Sequence, residues 1–210
     1  MKEFSFYDFA GVVAPGALVL FGLSLLVPDT PNLGSLPQIQ LGGLGVFAAL
    51  AYVTGQLTQA VGNLIESLYW RPWGGMPSAW IRSGDLLSPK QYERLGVVLA
   101  PVVGATTPAG MDGKHWFSVT REVYAAVSQA KRADRVDVFN GIYGLTRGIA
   151  SAGIILLVGV ALVDWHAWQA MVGLALLTVI AIYRMHRFGV HYARELFVQF
   201  LDLRSSPSPQ

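Results

Sequence analysis

The stretch 52–73, YVTGQLTQAVGNLIESLYWRPW, decides how this chain is read. It prolongs an apolar run that begins near residue 41, yet Tyr52, Gln56, Gln59, Asn63 and Glu66 recur along it at helical spacing. At one residue per 100° they fall within an arc of about 80°. Val53, Leu57, Leu64 and Leu68 occupy the rest of the circumference. Polar groups inside a bilayer are costly, and they face a bundle interior or a water-filled cavity. The stripe therefore lines a path through an assembly of copies, bonds neighbouring helices, or lies beyond the membrane surface. Depth divides it. A helix over 39–70 is about 48 Å long, against about 30 Å of hydrocarbon. Gln56 and Gln59 are then expected within the inner leaflet. Asn63 and Glu66 are expected at or beyond its surface, where Trp70 and Trp73 mark the boundary.

Of the 210 residues, 53% are apolar and only 13% are charged. Soluble domains carry about 25% charged residues, so this is a membrane-protein composition. Segments of about 10–27, 41–61, 148–164 and 167–183 each approach the ~17–25 residues that cross a bilayer. The short link Asp164-Trp165-His166-Ala167-Trp168 makes the last two a hairpin, with Trp165 and Trp168 at one interface. The start, MKEFSFYDFAG, mixes Lys2 with Glu3 and Asp8 and leads to no small-x-small cleavage site. The first segment is thus expected to be a retained span.

The basic residues orient these spans. None of the 15 lysines and arginines falls in 28–40 or 164–168. Lys2, the group from Arg71 to Arg147, and Arg184, Arg187, Arg194 and Arg204 all share one side if the chain crosses four times. By the positive-inside rule, both termini and the middle segment are expected in the cytoplasm. The expected fold is an all-α membrane protein with four transmembrane helices and a mainly helical cytoplasmic segment between the second and third. Its parts are an N-terminal transmembrane pair (1–69), the cytoplasmic segment (70–146), a C-terminal hairpin (147–186) and a cytoplasmic tail (187–210).

Within the middle segment, WRPWGGMPSAW stops the preceding helix and places Trp70, Trp73 and Trp80 at an interfacial elbow. Ser88, Pro89 and Gln91 form a capping-box start for the next helix. The apolar run 95–105 is too short to span and contains Pro101, so it reads as a buried cytoplasmic helix or a shallow re-entrant piece. The stretch 106–116 reads as a loop. No proline interrupts 117–206, which predicts one helix running from Phe117 into the third span, with Gly141, Gly144 and Gly148 as soft points. The tail SSPSPQ has a disordered composition.

Other patterns admit two readings each. Gly144, Gly148 and Ala152 form a small-residue ladder that lets helices approach closely. Pro15-Gly16 is a gating hinge or a tolerated kink. Lys114, Arg121, Arg132 and Arg135 are candidate contacts for an anionic or nucleotide ligand, because the planar guanidinium can donate bidentately to phosphate. The alternative is a solvated helix face, the commoner origin of such mixed charge. Arg184, Arg187 and Arg194 suit anionic lipid. His115, His166, His186 and His191 form no metal-binding pair, and no cysteine is present. No phosphate loop, dinucleotide fingerprint or nucleophile elbow occurs, so neither an enzyme nor a cofactor or metal is expected.

The Phe6-Tyr7-Asp8-Phe9 start, Pro15-Gly16-Ala17, the four spans and the Arg187…Tyr192-Ala193…Phe197 tail resemble small bacterial inner-membrane proteins. Some of these serve as membrane effectors in antiphage defence. The resemblance implies a cytoplasmic part that senses a nucleotide or oligonucleotide and a membrane part that opens or disrupts the bilayer. Two expectations follow. One is a homo-oligomeric inner-membrane channel gated through its cytoplasmic segment, with Gln56, Gln59, Asn63 and Glu66 at the pore or its mouth. The other is a non-conducting scaffold in the lipid bilayer that recruits a soluble protein partner through 70–146.

Overall fold

In the computed structural model the described residues are 6–26, 41–103 and 108–205. The 28–40 connection, the beginning of the 106–116 loop and the end of the SSPSPQ tail lie outside them. Among the described residues all regular structure is helical, with no strand. The helices are α1 (Phe6–Leu26), α2 (Leu41–Trp70), α3 (Pro77–Ser83), α4 (Pro89–Val103), α5 (Gly113–Gln129), α6 (Asp134–Val163) and α7 (Trp168–Ser205). Single 3-10 turns cover Arg71–Trp73 and Pro108–Gly110. Three helical stretches, Gly43–Ser83, Asp134–Val163 and Trp168–Ser205, are long and apolar enough to cross a membrane. Ala10–Leu26 is a shorter apolar helix.

The chain divides into two compact units, residues 1–68 with 141–186 and residues 69–140 with 187–210. In the first, α1, α2, α6 and α7 pack through small residues, as helices must where lipid removes the hydrophobic drive for association. A Cβ on Gly16 would stand 1.9 Å from the Ala51 carbonyl oxygen, and one on Gly55 would stand 2.0 Å from that of Val12. The backbones of α1 and α2 therefore touch, and only glycine permits it. On α6, Gly153 makes the corresponding room for Thr178 of α7, whose Oγ1 would lie 2.3 Å from an added Cβ.

The second unit has its own apolar core, in which Ile81, Leu95, Leu99, Trp116, Val123, Leu196 and Phe197 are buried. Trp116 stacks flat on Phe197 at 5.4 Å, and its indole N–H donates to the Ser78 carbonyl at 2.7 Å. As far as Val103 the apolar run belongs to α4, and Leu95 and Leu99 anchor that helix in this core. The capping box is made in both directions. The Ser88 backbone N–H donates to Gln91 Oε1 at 2.9 Å, and the Gln91 N–H donates to Ser88 Oγ at 3.3 Å. The half of α7 beyond residue 186 completes the unit through Leu196, Phe197, Phe200 and Leu201.

Two expectations are corrected. The 106–116 stretch is not a loop to its end: Pro108–Gly110 is a 3-10 turn and α5 starts at Gly113, capped by Asp112, whose Oδ1 accepts from the His115 backbone N–H at 2.8 Å. The chain is not continuously helical from Phe117 into the third apolar segment, because it breaks between α5 and α6. Lys131 adopts φ +57°, and the Lys131 and Arg132 N–H groups bond back to Ser128 and Val127 to close α5. Asp134 and Asp137 then sit in the first turn of α6, where carboxylates complement the helix dipole. The absence of proline permitted a continuous helix without requiring one. From Asp134 onward, α6 does run unbroken through Gly141, Gly144 and Gly148.

Candidate functional site: a polar node on three apolar helices

The node begins with a missing donor. In an uninterrupted helix the Gly11 carbonyl would accept from the N–H of residue 15, and Pro15 has none. Gln59 of α2 supplies the bond instead: its Nε2 donates to Gly11 O at 2.8 Å and to Gly144 O of α6 at 3.2 Å. The other end of the same amide, Oε1, accepts from Arg147 Nη2 at 3.0 Å and from Nε at 3.3 Å. Both donors and both lone pairs of the amide are thus used.

Arg147 is the centre of charge. Its Nη1 pairs with Glu66 Oε2, and the side chains of the two residues are only 20% and 17% exposed. The guanidinium carbon lies 5.9 Å from the centre of the Tyr143 ring, within reach of the ring's negative face. Glycines make the space. A Cβ on Gly148 would meet Pro15 Cγ at 2.5 Å and Gln59 Nε2 at 2.8 Å, and one on Gly62 would meet Ser151 Oγ at 2.9 Å. Ser151 in turn donates to the Arg147 carbonyl at 2.8 Å. Among the described residues, no buried side-chain nitrogen or oxygen is left without a partner.

Chemically, the node ties α1, α2 and α6 together and holds one positive and one negative charge side by side in an apolar unit. Removing one partner of such a pair costs about 3–5 kcal/mol, because the other charge stays buried and unpaired.

The structure splits the sequence stripe. Gln59 and Glu66 face inward and join Arg147, whereas Gln56 and Asn63 are exposed on α2. Gly148 and Ala152 are buried in the α6 packing face. Gly144 has no atom within 4 Å of an added Cβ and contributes through its carbonyl. Lys114 and Arg121 are exposed on α5. Arg132 pairs with Asp202 of α7, whereas Arg135 has only a loose 3.8 Å approach to Glu195. Arg147 entered the sequence reading only as a marker of orientation. An available signal was that Arg147, beside the middle rung Gly148 of the small-residue ladder, needs a carboxylate, and Glu66 is the last residue of the polar stripe on α2.

Among the described residues, no three His, Asp or Glu side chains are grouped to hold a metal ion. No family model, curated protein or solved structure matches this chain.

Proposed function

We propose that the chain is a four-span inner-membrane protein with both termini cytoplasmic, acting as a homo-oligomeric, pore-type effector gated through its cytoplasmic unit. The observation that carries this reading is the divided stripe. Gln59 and Glu66 are used up inside the subunit, which leaves Gln56 and Asn63 on the outer face of α2. The Gln56 amide, within the inner leaflet, has no partner in lipid, while Asn63 stands at the mouth. It gains one where α2 of several copies surrounds water. The resemblance to antiphage effectors supports a nucleotide or oligonucleotide as the activating signal.

The test is membrane depolarisation, read with a potential-sensitive dye in cells expressing the protein with and without phage challenge. Wild type depolarises the membrane; Gln56→Leu and Asn63→Leu insert to the same level and do not. If wild type leaves the potential unchanged under both conditions, the pore reading fails. A second reading, a non-conducting anchor for a soluble partner, draws on the separate core of the second unit and on the exposed Val97 and Phe117, which are 70% and 63% accessible. It predicts no depolarisation, together with co-purification of a neighbouring gene product that Val97→Ser and Phe117→Ser abolish.

A further inference from the structure

In the second unit, three arginines surround one imidazole. His191 of α7 packs against Phe139 of α6 at 5.6 Å and against Phe188 at 6.1 Å, centre to centre. Arg187 Nε donates to His191 Nε2 across a long 3.4 Å. Arg135 lies over the Phe139 ring at 5.6 Å. Arg194 is held from the other direction, its Nε donating to the Leu86 carbonyl at 3.2 Å. Leu86 adopts φ +68°, a left-handed conformation that costs a branched side chain about 1–2 kcal/mol and here aims its carbonyl at the guanidinium.

The charges do not balance. Glu195 is the carboxylate near Arg135, at a loose 3.8 Å, and its Oε1 also accepts from Gln199 Nε2 at 2.9 Å. Among the described residues, Arg187 and Arg194 have no carboxylate within ion-pair distance. Burial, and then the charges of Arg187, Arg194 and Arg135, hold the His191 imidazole below its ordinary range, with Glu195 opposing them. A neutral Nε2 that accepts from Arg187 leaves the rest of that guanidinium fork to donate elsewhere. By contrast, Arg132 and Arg147 are committed to carboxylates.

We infer that Arg135, Arg187 and Arg194, set around His191, form a binding site for a phosphate group. Planar guanidinium forks on two helices can grip phosphate oxygens from more than one side, and the Phe139 and Phe188 rings fix the geometry of the cluster. The phosphate belongs to a soluble nucleotide or pyrophosphate, or to an anionic lipid headgroup. The site stands on the second unit alone and does not depend on whether the protein conducts.

The experiment titrates the purified full chain in zwitterionic phosphatidylcholine nanodiscs with inorganic pyrophosphate and, separately, with ADP. A parallel arm compares retention of phosphatidylglycerol in mixed nanodiscs by native mass spectrometry. Saturable binding in either arm, weakened about tenfold by Arg135→Gln or Arg187→Gln, partly restored by Arg187→Lys and unchanged by Lys90→Gln at an exposed position on α4, supports the site. The arm that responds identifies the source of the phosphate. The inference is overturned if neither arm shows binding, or if the α4 variant weakens it as much as the cluster variants do. The depolarisation assay reports separately on the pore reading.

Discussion

Gln59→Leu is the sharpest probe of the node. The substitution keeps side-chain volume near constant and removes four hydrogen bonds, two donated to Gly11 and Gly144 and two accepted from Arg147. Interhelical hydrogen bonds in membranes average about 0.6 kcal/mol, so the four together give about 2.4 kcal/mol. The Gly144 carbonyl retains its own helical donor. The Gly11 carbonyl does not, because Pro15 carries no N–H, and a buried acceptor without a donor adds about 1–3 kcal/mol. The expected loss is about 3–5 kcal/mol, whereas Gln56→Leu, at an exposed position, changes the stability of the single subunit by less than about 0.5 kcal/mol. Stability is read from unfolding of the purified protein in mixed micelles by increasing SDS, followed by far-UV circular dichroism. The decisive arm adds Pro15→Ala. That change supplies the missing N–H to Gly11, so Gln59→Leu costs about 1–2 kcal/mol less in its presence, even though Pro15→Ala alone gives up the ring's contact with Gly148. If the two changes add within about 0.5 kcal/mol, Gln59 is not the surrogate donor for Pro15 and the account of the node is wrong.

Gly55→Ala places a methyl 2.0 Å from the Val12 carbonyl, a clash with backbone that side-chain motion cannot relieve. It is expected to destabilise the protein by more than about 2 kcal/mol in the same unfolding assay, while Gly45→Ala, with nothing within 4 Å, is neutral or slightly stabilising. In the second unit, the Tyr192 hydroxyl is pushed up from 10.0 to about 12 by burial and then by Tyr124 and Asp137. The unfolded chain loses that proton first, so stability holds below pH 10 and falls as pH rises from 10 towards about 12. Tyr192→Phe is expected to flatten this loss in alkaline unfolding curves; an unchanged slope would assign it to other groups.

Much of the architecture could be read without coordinates. The all-helical class, the apolar segments and the capping box at Ser88–Gln91 follow from composition and local pattern, because hydrophobic run length and caps are properties of neighbours in sequence. The break at Lys131 was harder to see. Nothing in KRADR forbids a helix, and α5 closes there because Val123 and Val127 on one side of the turn and Val136 on the other are buried in the same core.

The stripe on α2 shows the same division. Periodicity alone determined that Gln56, Gln59, Asn63 and Glu66 lie on one side of a helix, since a 3.6-residue repeat fixes angular position. It could not separate them, because an arc of about 80° is wide enough for one edge to face a neighbouring helix while the other faces out. That choice was made by tertiary contacts from far along the chain. Pro15 leaves a carbonyl on α1 without a donor, Arg147 on α6 needs a carboxylate, and Gly148 and Gly62 open the space between them. Gln59 and Glu66 are the stripe residues that meet those needs, and the satisfaction of buried polar groups is what turned α2 to its final angle.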